Sequence, residues 1–287
     1  MNAASIISAL DGISSSNSKI RTLTKEEIMQ LAPMAYATSP TNPDLSKHYV
    51  FASTEKVIDD MKKLGWYVVE ANQPRRRKKS SFGSYHMIIF QNSDPSYKIS
   101  HKNADGNDDF YYPQVILTNS HDGFSSFCFR IAIYHPNTDM RYIIATSSFN
   151  SLYLRHMGYS FEELQDLINK VMEEVPNQVV VMNNMQNRIL TQNEKYALAL
   201  AALRNRQNDP EFAVPNFILD EILEPKEKDN VPHNLWETFA IITSKMIEGC
   251  FMIPGRNGKL RKARRITGIS KYIHHSQILF AEAVKMI

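Results

Sequence analysis

Leu164, Leu167, Ile168, Val171, Met172 and Val175 recur three and four residues apart. They form a single apolar stripe on a predicted α-helix that Pro176 ends. Ser160 stands at its N-cap with Glu163 three residues on, the spacing of a capping box: the hydroxyl accepts the N3 amide proton and the carboxylate returns to the cap amide. Thr24 with Glu27, and Thr191 with Glu194, repeat the pattern. A helix is also predicted over 53–64, where Val57, Ile58, Met61 and Leu64 face inward, and others at about 178–189, 193–206, 232–248 and 270–286.

The period changes between Trp66 and His156. Short aromatic and β-branched runs alternate with Pro, Gly, Asn and Asp, which predicts strands at 66–71, 84–91, 112–118, 126–135, 141–146 and 152–156. Pro136-Asn137-Thr138-Asp139 is a natural turn, so the strands on either side should form a hairpin. Phe127, Phe129, Ile131 and Ile133 share one face of the first of them. Ser126, Cys128, Arg130 and Tyr134 share the other, interrupted by Ala132, and that face is left for water or a ligand. Helices, then a meander, then helices make an α+β chain: an antiparallel β meander flanked by N-terminal helices and a C-terminal helical region. The organisation read from this order is an N-terminal helical segment over 1–45, an α+β core with the sheet over 46–176, and a helical region with a basic arm over 177–287.

Composition narrows the class without naming a function. Of 287 residues 43% are hydrophobic, too many for a disordered chain. Two cysteines, Cys128 and Cys250, cannot build a disulfide framework. The opening Met1–Ala9 lacks a basic n-region, and no stretch approaches the roughly 18 apolar residues of a membrane span. The expectation is a soluble chain of the cytoplasm.

A net charge of +3 decides little, but the charge is unevenly spread. Arg75, Arg76, Arg77, Lys78 and Lys79 are consecutive cations, read as a mobile loop between two strands. Between Gly249 and Ala281 there is no Asp or Glu, whereas Arg256, Lys259, Arg261, Lys262, Arg264, Arg265 and Lys271 supply seven cations, followed by His274 and His275. With Gly255, Gly258 and Gly268 this reads as a flexible basic arm between two helices. The stretch from Asp220 to Asp229 is acidic and reads as an exposed linker or helix edge. Such segregation points to a polyanion: Lys and Arg neutralise phosphates and release counterions whatever the base sequence. Solvated loops that aid solubility are the plainer alternative.

Candidate chemistry concentrates in Asn119-Ser120-His121-Asp122-Gly123. Adjacent His and Asp can ligate a metal or relay a proton, yet adjacent residues seldom converge on one atom. A structural turn, with Asn119 and Asp122 bonding local amides and Gly123 at positive φ, is the stronger reading. His86, His135 and His156 would cluster only if the sheet aligned them. No P-loop, GxSxG, HExxH or CxxC occurs, and no cofactor or catalytic residue is assigned.

The run from Pro113 to Gly123, followed by Ser125 and Phe127, resembles the signature of domain-of-unknown-function family 932, phage- and plasmid-like proteins. Tyr153-Leu154-Arg155-His156 with Gly158, the segment from Leu235-Trp236-Glu237-Thr238-Phe239 to Gly249, and Arg261 to Gly268 agree with it, from about residue 45 to the end. Many members carry a Cys-Ser-Asn-Gly turn where this chain reads His135 to Met140, so a role tied to that thiol does not transfer. The resemblance implies a phage or plasmid origin and a bacterial cytoplasm, and no settled activity. Together with the basic segments it leads to a non-catalytic DNA-binding protein of a mobile element. The activity class is single-strand annealing or recombination, because a curved meander followed by a long helix is the plan of several annealing cores. The expected partner is single-stranded DNA, with no membrane, and the expected assembly is a homo-oligomeric ring. Tyr85, Tyr111, Tyr112, Tyr134 and Tyr153 are the candidate stacking platforms. A host-interaction or anti-defence protein is the alternative, and a metal-dependent hydrolase at His121 and Asp122 the third reading.

Overall fold

All three capping boxes form in the computed structural model, which describes residues 21–45, 47, 49–74, 84–102, 108–125, 127–144, 152–154, 160–225, 232–255 and 258–287. The elements run α1 (Lys25–Leu31), α2 (Thr54–Lys63), β1 (Trp66–Asn72), β2 (His86–Asn92), β3 (Ile99–Lys102), β4 (Asp108–Asn119), β5 (Phe127–His135), β6 (Met140–Ile143), β7 (Leu152–Leu154), α3 (Phe161–Glu173), α4 (Val175–Asn187), α5 (Gln192–Gln207), α6 (Asn216–Leu223), α7 (Leu235–Glu248), β8 (Met252–Pro254), β9 (Leu260–Lys262) and α8 (Ile269–Val284). This is the α+β arrangement expected from the sequence. The main sheet follows the order β1-β2-β4-β5-β6, with β3 added to β4 and β7 to β5, and its pairings are antiparallel.

Alternation in β5 sorts the two faces as expected. Phe129, Ile131 and Ile133 join Ile88, Phe90, Val115, Leu117 and Tyr142 in a core closed by Val57 and Met61 of α2, Leu164 and Ile168 of α3, and Phe239 and Ile242 of α7. Trp236 of α7 fastens the two layers. Its Nε1 donates to the Tyr111 hydroxyl at 3.0 Å, and its ring meets Tyr142 edge-on at 4.9 Å. The second face is not left open: Met87, Ile89, Ile116, Ala132 and Ile143 pack against Ile269 and Ile273 of α8. The alanine that interrupts the polar side of β5 is where that helix sits down.

The sheet is rolled. Arg141 on β6 lies 3.0 Å from Glu70 on β1, although β2, β4 and β5 separate the two strands. At roughly 4.8 Å per strand a flat sheet would hold them about 19 Å apart. The second face is therefore concave, with α8 across part of it.

Several expectations need correction. Pro176 does not simply end a helix; it occupies the first turn of α4, where its missing N–H costs nothing. The acidic stretch takes the helix-edge form and not the linker form where it is described: it begins on α6, with Asp220 exposed and Leu219, Ile222 and Leu223 buried, while Tyr196 donates to Asp220 and Glu221 accepts the Met252 amide. The basic arm is partly built: β8 and β9 pair, and Phe251, Ile253 and Ala263 anchor it in the core. Gly249 makes this possible. It ends α7 at φ +71, and a Cβ there would stand 2.5 Å from the Arg264 backbone. Among the described residues no helix is long and apolar enough to cross a membrane.

Candidate functional site

Two places on this scaffold hold the polar residues singled out in the sequence. The first is the end of the sheet where β4 runs into Asn119-Ser120-His121-Asp122-Gly123. Thr54, Ser84, His86, Asn119, Ser120 and His121 are all essentially fully buried there. The His86 Nδ1 lies 2.7 Å from the Ser84 carbonyl, which can only accept, so that nitrogen carries the proton. His86 Nε2 is then an acceptor and takes the Thr54 hydroxyl proton at 2.9 Å. The Thr54 oxygen in turn accepts from Asn119 Nδ2 at 3.0 Å and faces His121 Nε2 at 3.4 Å, a pairing that needs the proton on that His121 nitrogen. One hydroxyl thus fixes three side chains. Burial, with a smaller push from His121, lowers the His86 pKa to about 4, so its ring is neutral at pH 7.

The rest of the turn is local. Asp122 Oδ1 accepts from the Ser120 hydroxyl at 2.6 Å and from the Phe124 amide at 3.1 Å, an Asx-type turn. Gly123 has φ +84, and a Cβ on it would collide with Leu45 at 2.4 Å. Asn42 and the Thr41 amide close over the turn by donating to the carbonyls of Asp122 and His121. This supports the structural reading of Asn119, Ser120, His121, Asp122 and Gly123. Asp122→Ala should lower stability by roughly 0.5–2 kcal/mol through the lost turn bonds, with ligand affinity unchanged. Thermal melts and binding isotherms check both halves, and a normal melt with function abolished would make the turn an active site.

The histidine alignment considered from the sequence does not occur as framed. His86 meets His121, with ring centroids 5.2 Å apart. His135 sits at the opposite end of the sheet, stacked on Tyr111 and bonded to Asp109 at 2.8 Å. His156 lies outside the described residues, as do Arg75, Arg76, Arg77, Lys78, Lys79 and Arg256. Among the described residues no group of three or more His, Cys, Asp or Glu could hold a metal ion.

The second place is the rim of the concave face. Lys259, Arg261, Lys262, Arg264 and Arg265 are all exposed along the arm. Among the described residues Arg261, Lys262, Arg264 and Arg265 form no ion pair. A groove of about 600 Å³ brings Arg265 and Thr267 against Asn72 and Met87, the strand ends that flank the connection carrying Arg75–Lys79. Of the arm's described cations Arg265 lines this depression, and the residues 75–79 that follow Asn72 lie outside the described residues. Arg141 lines it from the sheet, a residue that no local pattern singles out. It donates to Gln114 and pairs with Glu70, while Gln114 donates to Gln91. Burial works against the Arg141 charge, but Glu70 and the Tyr272 hydroxyl more than offset it and leave its pKa above the ordinary value. Arg141, Gln114 and Gln91 stand on three different strands, and only the roll of the sheet brings Glu70 to them.

Of the proposed stacking tyrosines, Tyr111 is 3% exposed and spent on Trp236, so it is withdrawn as a platform. Tyr85, Tyr112 and Tyr134 are half-buried. Tyr153 is 63% exposed. The strand register runs Met87–Thr118–Cys128–Tyr153 across the concave face, so Tyr153 ends a row that starts in the groove.

Comparison with known proteins gives a family and no activity. The family described as "Domain of unknown function (DUF932)" matches residues 44–267. The chain is similar to "UPF0380 protein YfjQ" of Escherichia coli (strain K12), with 24% identity over 281 residues, covering 93% of this chain and 92% of that protein. It is similar to the same degree and extent to "UPF0380 protein YafZ" of the same organism. No solved structure matches the chain.

Proposed function

The chain belongs to the domain-of-unknown-function family DUF932, and on that premise we propose that it is a nucleic-acid-binding protein whose ligand is single-stranded DNA. One observation supports the reading above the rest: the groove in which Arg265 faces the root of the Arg75–Lys79 connection. A flexible polyanion laid along the groove and the arm would meet Arg265 and the exposed arm cations beside it and release their counterions. Glu70, Asp139 and Glu248 also line the groove, so the strand runs along the arm side and away from them. Tyr153 supplies a face for one base. The protein acts in the bacterial cytoplasm of a phage or plasmid host, and annealing is the activity class that such binding would serve.

The test is a titration of a dT oligonucleotide at two salt concentrations. Binding that weakens steeply with salt is expected; a folded protein without measurable affinity at low salt ends the proposal. Tyr153→Ala should weaken binding by about 1–3 kcal/mol, the usual value of one base stacked on an aromatic ring. It should leave the salt slope alone, since no phosphate contact is lost. An equal loss of slope would place Tyr153 in fold maintenance and not in stacking.

A further inference from the structure

Behind the arm, α5, α7 and α8 enclose a notch lined by Asn205, Arg206, Thr243, His275 and Ser276. Its volume is about 10 Å³, room for one water-sized atom and for no ring. Ala202, Met246, Ile247 and Leu279 make most of its wall apolar, and two donors in it stand without an acceptor. Arg206 donates through Nη2 to the Arg264 carbonyl and lies 5.6 Å from the centre of the Phe251 ring. Its Nη1 is buried with no hydrogen-bond partner among the described residues. The Ser276 hydroxyl is buried without one as well, on a residue only 3% exposed. His275 donates through Nδ1 to Asn205 Oδ1, so in the neutral ring Nε2 is an acceptor.

The electrostatics are one-sided. Arg206 is disfavoured first by burial and then by the charge of Arg261. His275 is pushed down to about 4 by burial, then by His274, Arg206 and Lys271. Among the described residues no carboxylate pairs with Arg206 or Lys271. Cations at the C-terminal end of α5 are ordinary compensation for its dipole. That accounts for Arg206 being there, but not for a buried guanidinium edge and a buried hydroxyl that both lack an acceptor. Buried donors are costly unless paired. An oxygen in the notch would satisfy the Arg206 edge and the Ser276 hydroxyl together, and beside a guanidinium a negatively charged oxygen makes the stronger bond.

We propose that this notch is a phosphate-binding subsite: a non-bridging phosphate oxygen enters it and accepts from Arg206 Nη1 and the Ser276 hydroxyl, with the His275 ring on its lining. Its source as the backbone of a bound strand rests on the function proposed above. Arg206 holds the Arg264 carbonyl, so the notch is tied directly to the basic arm. The atom-sized volume selects phosphate over base.

The test follows the His275 ring signals by NMR as inorganic phosphate is added to the full chain, with chloride at equal ionic strength as the control. A saturable shift specific to phosphate is expected. Arg206→Gln should weaken it about tenfold, the usual scale for one charge-assisted hydrogen bond. Ser276→Ala, a smaller change that keeps the notch should Arg206→Gln misfold, should weaken it several-fold. Arg204→Gln, whose guanidinium instead serves the Phe212 carbonyl, should leave it unchanged. No phosphate-specific shift, or a shift undiminished in the Ser276 variant, overturns the subsite. A dT oligonucleotide then separates the sources. If it displaces phosphate, the strand backbone is the natural occupant. If phosphate binds and the oligonucleotide neither binds nor displaces it, the subsite stands for a small phosphate compound and the nucleic-acid reading falls. If the oligonucleotide binds while His275 answers neither probe, the reading survives and the subsite does not.

Discussion

Replacing Arg261, Lys262, Arg264 and Arg265 together by alanine should flatten the salt dependence of single-strand binding by about three. Each phosphate contact on a single strand contributes about 0.7 to the slope of log affinity against log salt. Four lost contacts remove about 2.8, which at 0.1 M salt corresponds to a loss of several hundred-fold in affinity. The fold should survive. The four side chains are exposed and unpaired among the described residues, and exposed cations contribute little to stability. The arm is anchored by Phe251, Ile253 and Ala263, which the variant keeps, and the Arg264 carbonyl that lies against Gly249 and accepts from Arg206 is backbone, which alanine also keeps. Base preference should not move, because phosphates carry no base identity. A variant that retains both affinity and slope would make the arm a solvated loop and remove the main support for the proposed function.

The arm also marks how far a sequence can be read. Thr24, Ser160 and Thr191 were legible as N-caps because a capping box is settled within four residues. The faces of β5 were legible because alternation is intrinsic to a strand. The arm carried neither signal. β8 and β9 are three residues each, too short to alternate, and what orders them is the burial of Phe251, Ile253 and Ala263 against elements distant in sequence. Helix α6 was hidden for a related reason: Asp220 and Glu221 read as exposed acid, while the pattern that buries Leu219, Ile222 and Leu223 needs α5 and α7 to give it meaning.

The polar sites were legible in part. Asn119 to Gly123 could be recognised as a turn with chemistry in it, since His, Asp, Ser and Gly stand side by side. Its real partners, Thr54 on α2 and His86 on β2, could not, because register decides which residue meets which. A shift of one residue between β2 and β4 would turn His86 to the other face. Glu70 and Arg141 were invisible for a stronger reason. They meet only because the sheet is rolled, and curvature is a sum over five strands that no local window contains. Arg206 had no signal beyond its position at a helix end.

Acid should weaken this protein well above the carboxylate range, and His86 is the reason. Its pKa is about 4 in the folded chain, chiefly through burial, and about 6.5 once unfolded. Between those values the unfolded state holds a proton that the folded state does not, so stability rises with pH across the window. The contribution is complete above about 6.5 and is lost as pH falls to about 4, at roughly 1.4 kcal/mol per unit and about 3 kcal/mol in all. His275 is pushed to about 4 as well and acts in the same window, so the measurement needs both single variants. Urea melts at pH 7 and pH 4.5 should show a smaller acid loss in His86→Gln than in the parent chain. The glutamine would also cost stability at pH 7, since it cannot keep both the Ser84 carbonyl and the Thr54 hydroxyl. His275→Gln subtracts the contribution of the other ring. If the acid loss is the same with and without His86, its ring reaches water in solution. The polar end of the sheet is then an accessible site, and His121 and Asp122 return as candidates for chemistry.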